Sequence, residues 1–597
     1  MLALVALLAG ANAARAALPV LGHKGRWLTD PQGRVVILHG VQVDKFKDIS
    51  NPAGSENVVD LSPANVRFIG SAGFNAARVS MSYEGVEPAA GRYDDSYIAS
   101  YLTLDRELAS AGIWDVLDLQ QGQYSNVLSG NGFPDWMTDT GGVPNNHEPY
   151  SRGYLDNPAE QAAWDNLWGN APVAGGSALE DDYVRGLRLL AGRFASAPAL
   201  LGLEIVNEPW PGSRWPTCAN PVGCPPGGFD QTSLTDFYRR VVPALRSADP
   251  RHLIVYEPNL LFDFGAPTTL GSIGDPNLLF AFHNYCLGRA PGLTAFPDPV
   301  QACGTNEGVV FDNAEARAAS SGDALLMDEW GNSTDPVLNQ RVASEADQHM
   351  VGWTVWAYED CCNSPAAIVK DGTKPPTAPG NLNLPVLETL VRPYPQAIAG
   401  TPRAWSYDPD TRIFRLTYST ARAGDGTFAP GVKTQIEVPA LHYPTGYQVT
   451  VDGARITSAP DGDPLLVESM PGAAVVTVTV SPADHHPPSP RTVAGGPVAG
   501  APPSDCPASP ARSLTVHTHG RRGRVVSVAV YIDRRRVGLR RGHNVRRIGL
   551  PPGLPNGALI RIVATTAHRA RVITTRRVQG CALTKPRTRV RRAHRRR

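Results

Sequence analysis

The chain has 597 residues, 42% of them apolar, so it exceeds one ordinary domain and can bury at least one large core. The net charge of +1 averages two opposite parts: from Pro487 onward there are 25 Arg and Lys against 2 Asp, and before it 31 basic against 53 acidic residues. Beyond the N-terminus no apolar run is long enough to span a bilayer, and no Cys and His cluster has metal-ligand spacing, so neither a transmembrane segment nor a metal site is expected.

Residues 1–16, MLALVALLAGANAARA, are apolar and end in Ala-x-Ala signals at Ala11 to Ala13 and Ala14 to Ala16, as in a secretory signal lacking its basic leading region. Eight cysteines agree with export to an oxidising compartment, secreted or retained at the cell surface. Local spacing suggests the pairs Cys218 with Cys224, Cys286 with Cys303, and Cys506 with Cys581. Cys361 and Cys362 are adjacent, and either form a vicinal bond or pair elsewhere.

Short β-branched or apolar runs then alternate with helical patterns, which predicts repeated βα units and a parallel sheet. The strands are read as Val35 to Val41, Asn75 to Val79, Ile113 to Leu119, Leu200 to Val206, His252 to Tyr256, Leu278 to His283, Ala324 to Asp328 and Gly352 to Trp356. Helices with apolar residues at helical spacing are read over Tyr101 to Ala111, Glu180 to Ala195, Leu234 to Ser247 and Asn339 to His349. The fold class is therefore α/β, a (β/α)8 TIM barrel over 17–394. From Pro393 the runs FRLTY, TQIEVPA, YQVTVDG and AVVTVTVS alternate with turn residues, predicting an antiparallel β-sandwich over 395–486.

A Pro-, Gly- and Ala-rich linker follows at 487–511, then a small basic β module at 512–582 and a disordered Arg-rich tail at 583–597. The basic region suits either no specific ligand or retention at an anionic surface. Nucleic acid is not an expected partner, because export argues against it and no stacking aromatics are interleaved with the arginines.

Two glutamates carry the chemical signal. Glu208, in Val206-Asn207-Glu208-Pro209, closes the apolar run LLGLEIV, and Glu329 sits in LLMDEWGNS. They would close strands four and seven of this count, and two carboxyls at the C-terminal ends of different barrel strands are what a glycosidase uses, one as acid/base and one as nucleophile. Retaining enzymes hold them about 5 to 5.5 Å apart. Other residues at strand ends have roles to fill. Arg78 in NAARVS would grip the nucleophile through two hydrogen bonds, and Asn207 would meet a sugar hydroxyl. His283 and Tyr285 in FAFHNYC would position the carboxylates, and Trp356 in GWTVWAYED would stack on a sugar ring.

This arrangement of R-V-S, N-E-P, H-N-Y, a late Glu and W-x-Y resembles glycoside hydrolase family five. Within it, HGVQVDK, GNGFPDWM, AWDNLWGN, NEPWPG and RPYPQAIAGTP resemble the endoglycoceramidases, which cleave the bond between glycan and ceramide. The resemblance covers roughly Val35 to Val480. It implies Glu208 as acid/base and Glu329 as nucleophile, with Arg78, Asn207, His283, Tyr285 and Trp356 in support. It also places Lys45 and Asp44 near the sugar beside the cleaved bond, and needs no cofactor.

One departure stands out. Where the family reads D-x-H-Q-D-x-Y-S, this chain has Asp118-Leu119-Gln120-Gln121-Gly122-Gln123-Tyr124-Ser125. Gln120 can still hydrogen-bond a sugar but cannot protonate, and Gly122 offers no side chain. The expected function is a secreted retaining β-glycosidase acting on a glycolipid. The alternatives are another family-five activity on glucan, mannan or steryl glucoside, and a non-catalytic carbohydrate- or surface-binding protein.

Overall fold

The computed structural model describes residues 17–44, 61–148, 152–173, 177–219, 222–285, 299–331, 333–359 and 366–484, together with strands lying between 513 and 591. The expected signal at 1–16, the linker at 487–511, and Lys45, Cys286, Cys361, Cys362, Cys506 and Cys581 lie outside the described residues, as does the side chain of Cys303. The chain divides into two compact units, Met1–His486 and Pro487–Arg597.

Eight parallel strands close into a barrel in the first unit. In chain order they are His39–Asp44, Ala76–Ser82, Trp114–Gln120, Leu200–Glu204, Leu253–Tyr256, Leu278–Asn284, Ala324–Trp330 and Gly352–Val355, called strands one to eight below. Each is buried along nearly its whole length, which is why they read as continuous apolar runs rather than alternating ones. Closure between strands one and two depends on Gly40, where a Cβ would come 2.4 Å from the carbonyl oxygen of Ala76.

The helix expected from Tyr101 begins earlier, at Asp95. Asp94 caps it by accepting from the backbone N–H groups of Ser96 and Tyr97, and Gly112, at φ 74°, ends it. Apolar periodicity alone missed its first turn, which carries polar residues. Ile98, Tyr101, Leu104 and Leu108 form its buried face. Helix Leu179–Phe194 buries Tyr183, Leu187, Leu190 and Phe194 in the same way.

The sandwich departs from expectation at the N-terminus. Its larger sheet has seven strands, and three of them, Gly22–Lys24, Trp27–Thr29 and Val35–Val36, come from the range read as barrel. Val35 and Val36 pair antiparallel with Ile398 and Ala397, so the strand expected over Val35 to Val41 is split between sandwich and barrel. A four-stranded sheet of Thr401–Asp408, Ile413–Ser419, Val475–Pro482 and Tyr447–Asp452 faces it. Phe414, Leu416, Ile436, Val467, Val476 and Val478 lie in the buried core of these sheets. Polar ties also fix the sandwich to the barrel: Asp347 accepts from Arg392 at 2.5 Å and from the Trp405 indole at 2.9 Å. His39 stacks on both Trp353 and Tyr394.

In the second unit Arg535–Arg541, Val525–Ile532, Leu559–Thr566, Arg571–Gln579 and Ala582–Leu583 form one sheet. Arg587–Arg591 pairs antiparallel with Arg571 to Thr575, so the sheet extends into the stretch read as a disordered tail. Val528, Val530, Ile560, Ile562 and Ala564 are buried on it.

Glu160, on helix Pro158–Trp168, is fully buried, and burial pushes its carboxyl up to about 8. The folded chain therefore holds a proton that the unfolded chain releases near 4.5, and this contribution to stability is lost as pH rises from there to about 8. Glu160→Gln is expected to raise the unfolding midpoint at pH 8 relative to wild type while changing it little at pH 4.5. Parallel shifts at both pH values would exclude this account.

Candidate active site

Strand alternation brings the site together, because every second residue of a barrel strand points inward. Gln42 and Asp44 on strand one, Arg78 and Ser80 on strand two, Asp118 on strand three, Glu204 on strand four and Asp328 on strand seven are all fully buried. Arg78 is the hub. Its Nε and Nη2 donate to the two carboxylate oxygens of Glu204 at 3.0 and 2.6 Å. Its Nη1 donates to Gln42 at 2.9 Å and to Glu329 Oε2 at 2.7 Å. The two-bond grip expected on the nucleophile is thus made on Glu204, and Glu329 receives one bond. Both bonds to Glu204 come from one edge of the guanidinium, which leaves Nη1 for the mouth of the site.

Glu208 lies in the loop after strand four, with φ 44°, a left-handed conformation unusual for a residue with a side chain. Its Oε1 is 2.9 Å from His283 Nδ1. Glu329 is the penultimate residue of strand seven, and its Oε1 accepts from the Tyr285 hydroxyl at 2.8 Å. Carboxylate oxygens of Glu208 and Glu329 and a ring nitrogen of His283 lie within 4.8 Å of one another. Each glutamate keeps a small exposed fraction, 9% and 7%, above a floor of fully buried groups.

Asn207 is held from both sides: its Oδ1 accepts from Arg78 at 2.8 Å, and its Nδ2 donates to the Gln121 carbonyl at 2.8 Å. A second amide hydrogen remains for a ligand. Gln121 returns the tie by donating to the carbonyls of Asn207 and Glu208 at 2.9 and 3.1 Å. Asp44 accepts from Gln42 and Ser80 at 3.0 and 3.2 Å, and burial together with the nearby Glu329 charge pushes it up to about 7. Gln120 ends strand three, and its Oε1 is buried without a hydrogen-bond partner. Trp356 is half-buried and bridges to Gly331 just past strand seven. Cys218 and Cys224 form a disulfide in the loop after Glu208.

Beneath the pair lie five acids to which the sequence assigns no role: Asp118, Glu204, Glu257, Asp263 and Asp328. Burial pushes Asp118, Glu257, Asp263 and Asp328 well above the usual carboxylate range. Glu204 differs: burial opposes its ionisation, but Arg78 outweighs it and holds the carboxyl at about 2. For His283 burial works against the proton, yet Glu257, Glu329 and Glu208 raise it well above the imidazole range. Glu204, Glu257, His283 and Asp328 also approach one another closely enough to suit a cation. Arg78 already supplies that charge, at 2.6 Å from Glu204, 3.2 Å from Glu257 and 3.4 Å from Asp328. The available signal was a charge inside an apolar strand run, as Glu204 stands in LLGLEIV and Asp328 in LLMDEW.

The description "Cellulase (glycosyl hydrolase family 5)" matches residues 39–361, and "Glycoside hydrolase family 5 C-terminal domain" matches residues 392–480. The chain is similar to Endoglycoceramidase I of Rhodococcus hoagii (strain 103S), 30% identical over 473 residues, 76% of this chain and 87% of that protein. Endoglycoceramidase of Cyanea nozakii is 25% identical over 71% of this chain and 85% of its own length. Among solved structures, endo-glycoceramidase II from Rhodococcus sp. in complex with ganglioside GM3 aligns with a TM-score of 0.63 and 25% identity, covering 76% of this chain and 99% of that one. Matched through the barrel and again through the sandwich, and with a glutamate pair at the barrel mouth, the chain is a glycoside hydrolase and belongs to glycoside hydrolase family 5.

Proposed function

We propose that this enzyme hydrolyses the β-glycosidic bond between the glycan and the lipid of a glycolipid, with retention of anomeric configuration. The observation that supports the mechanism is that carboxylate oxygens of Glu208 and Glu329 lie within 4.8 Å of one another at the barrel mouth, a close approach of the kind a retaining pair needs. In the first step Glu329 attacks the anomeric carbon as the bond to the leaving oxygen breaks, and Glu208 gives that oxygen its proton. In the second, Glu208 takes a proton from water, the water oxygen bonds to the anomeric carbon, and Glu329 departs. Tyr285 and Arg78 hold the two Glu329 oxygens for in-line attack.

The glycolipid substrate class is supported by similarity to proteins named endoglycoceramidase over most of their length. Thin-layer analysis of the purified protein against a panel of glycosphingolipids tests it, with release of an intact oligosaccharide as the expected result. Cleavage of soluble glucans or mannans with no release from any glycolipid would favour another family activity. Export, and retention at an anionic surface through the 25 basic residues after Pro487, complete the proposal. Co-sedimentation with anionic vesicles that does not weaken with salt would count against that retention.

Gln120 supports a shift in sugar preference, since its unpartnered Oε1 is an acceptor where the family carries a histidine. Gln120→His combined with Gly122→Asp is expected to raise the rate on glucosylceramide-linked glycans relative to other glycolipids by about 10-fold or more, the scale of one added hydrogen bond to a charged group. Unchanged relative rates would remove the basis for this assignment.

A further inference from the structure

Glu257 follows strand five in the sequence Tyr256-Glu257-Pro258 and is 1% exposed. One of its oxygens, Oε2, accepts the backbone N–H of Glu208 at 3.0 Å. The other, Oε1, lies 3.2 Å from Arg78 Nη2 and 3.2 Å from His283 Nε2. The opposite ring nitrogen of His283 is the one 2.9 Å from Glu208 Oε1. A single buried carboxyl therefore reaches Glu208 twice, directly at its main chain and through the imidazole at its side chain.

Both contacts bear on one problem. Glu208 adopts φ 44°, which a residue with a Cβ holds only when its surroundings enforce it. Its carboxyl must also present one oxygen to the leaving group at a fixed angle, and the bond to His283 Nδ1 selects which oxygen that is. An imidazole gripped on one side only can tilt. One placed between two carboxyls, 2.9 Å from Glu208 and 3.2 Å from Glu257, keeps its plane and its charge.

We propose that Glu257 is a positioning residue for the acid/base: it fixes the main chain of Glu208 and, through His283, the direction in which Glu208 delivers its proton. This rests on Glu208 being the acid/base. Glu257 touches no reacting atom. Its neighbours Arg78 and Glu204 belong to the floor of the site, so its loss would act on proton delivery while leaving Glu329 with its own bonds to Arg78 and Tyr285.

The test compares two aryl β-lactosides, one with a 2,4-dinitrophenyl group that leaves without a proton and one with a 4-methylphenyl group that needs it. In the full-length Glu257→Gln variant, kcat/KM on the 4-methylphenyl substrate is expected to fall about 100-fold, the lower end of general acid catalysis, and on the dinitrophenyl substrate less than about 5-fold. Glu257→Asp, which keeps the carboxyl on a shorter arm, is expected to fall between Glu257→Gln and wild type on the first substrate only. Equal losses on both substrates would overturn the proposal, reducing Glu257 to general support of the site, and so would no loss on either. Glu208→Gln, expected to lose kcat/KM on the 4-methylphenyl substrate and keep it on the dinitrophenyl one, establishes the acid/base independently of Glu257. No wild-type turnover of either lactoside would remove the proposal together with the reading it rests on.

Discussion

Glu329→Gln is expected to lower kcat on every glycoside substrate by on the order of 10⁴-fold or more, the scale seen when an enzymatic nucleophile is removed. An amide oxygen is too weak a nucleophile to displace a glycosyl leaving group, and changing the leaving group does not help it. The substitution keeps the shape of the side chain. Its carbonyl can still accept one of the bonds now made by Arg78 at 2.7 Å and Tyr285 at 2.8 Å, so the barrel should remain folded. Glu208→Gln makes a useful contrast. It removes the proton donor but leaves the nucleophile, so its first step should fail on poor leaving groups and persist on dinitrophenyl glycosides. A Glu329→Gln enzyme retaining a tenth of wild-type kcat would assign the nucleophile elsewhere.

Arg78→Met is expected to abolish activity and to destabilise the first unit by about 3–5 kcal/mol, as removal of one partner from a buried ion pair does. Arg78 is fully buried and lies within 3.4 Å of oxygens on Asp118, Glu204, Glu257, Asp328 and Glu329. Methionine fills much of the space but provides no charge and no donor. The loss has a pH signature. Arg78 holds Glu204 at about 2, below its ordinary 4.5, so the stability this contributes is present above 4.5 and disappears as pH falls through about 2. The gap between wild type and variant in thermal unfolding should therefore narrow as pH falls from 4.5 towards 2. A gap that widens on acidification would contradict the assignment of Arg78 as the counterion of Glu204.

The barrel was legible because each strand is buried on both faces and each connecting helix has an apolar stripe. Both patterns are local. The hairpin over Gly22–Lys24 and Trp27–Thr29 was not, since its strands are three residues long and the sheet they join runs through Tyr394–Ile398, far along the chain. The exposed parts of the site were legible from short motifs, because turn residues after an apolar run mark strand ends. Its floor was not. Asp118, Glu204 and Asp328 lie within strands, and nothing in the order of residues says that five acids converge on Arg78. Glu257, in Y-E-P, repeats the pattern of Glu208 in N-E-P one strand later, yet faces the underside of the site. The motif R-V-S pairs Arg78 with Glu329 alone, because a motif names only two partners at a time, whereas five acids surround it.

In the proposed double displacement, a paired Glu208 and Glu329 cleave a glycan from its lipid. Proton NMR of lactosylceramide in detergent, followed from the moment of enzyme addition, tests it most directly. The account predicts that intact lactose appears first as the β-anomer and only later equilibrates by mutarotation. Lactose appearing first as the α-anomer, or glucosylceramide appearing in place of ceramide, would contradict it.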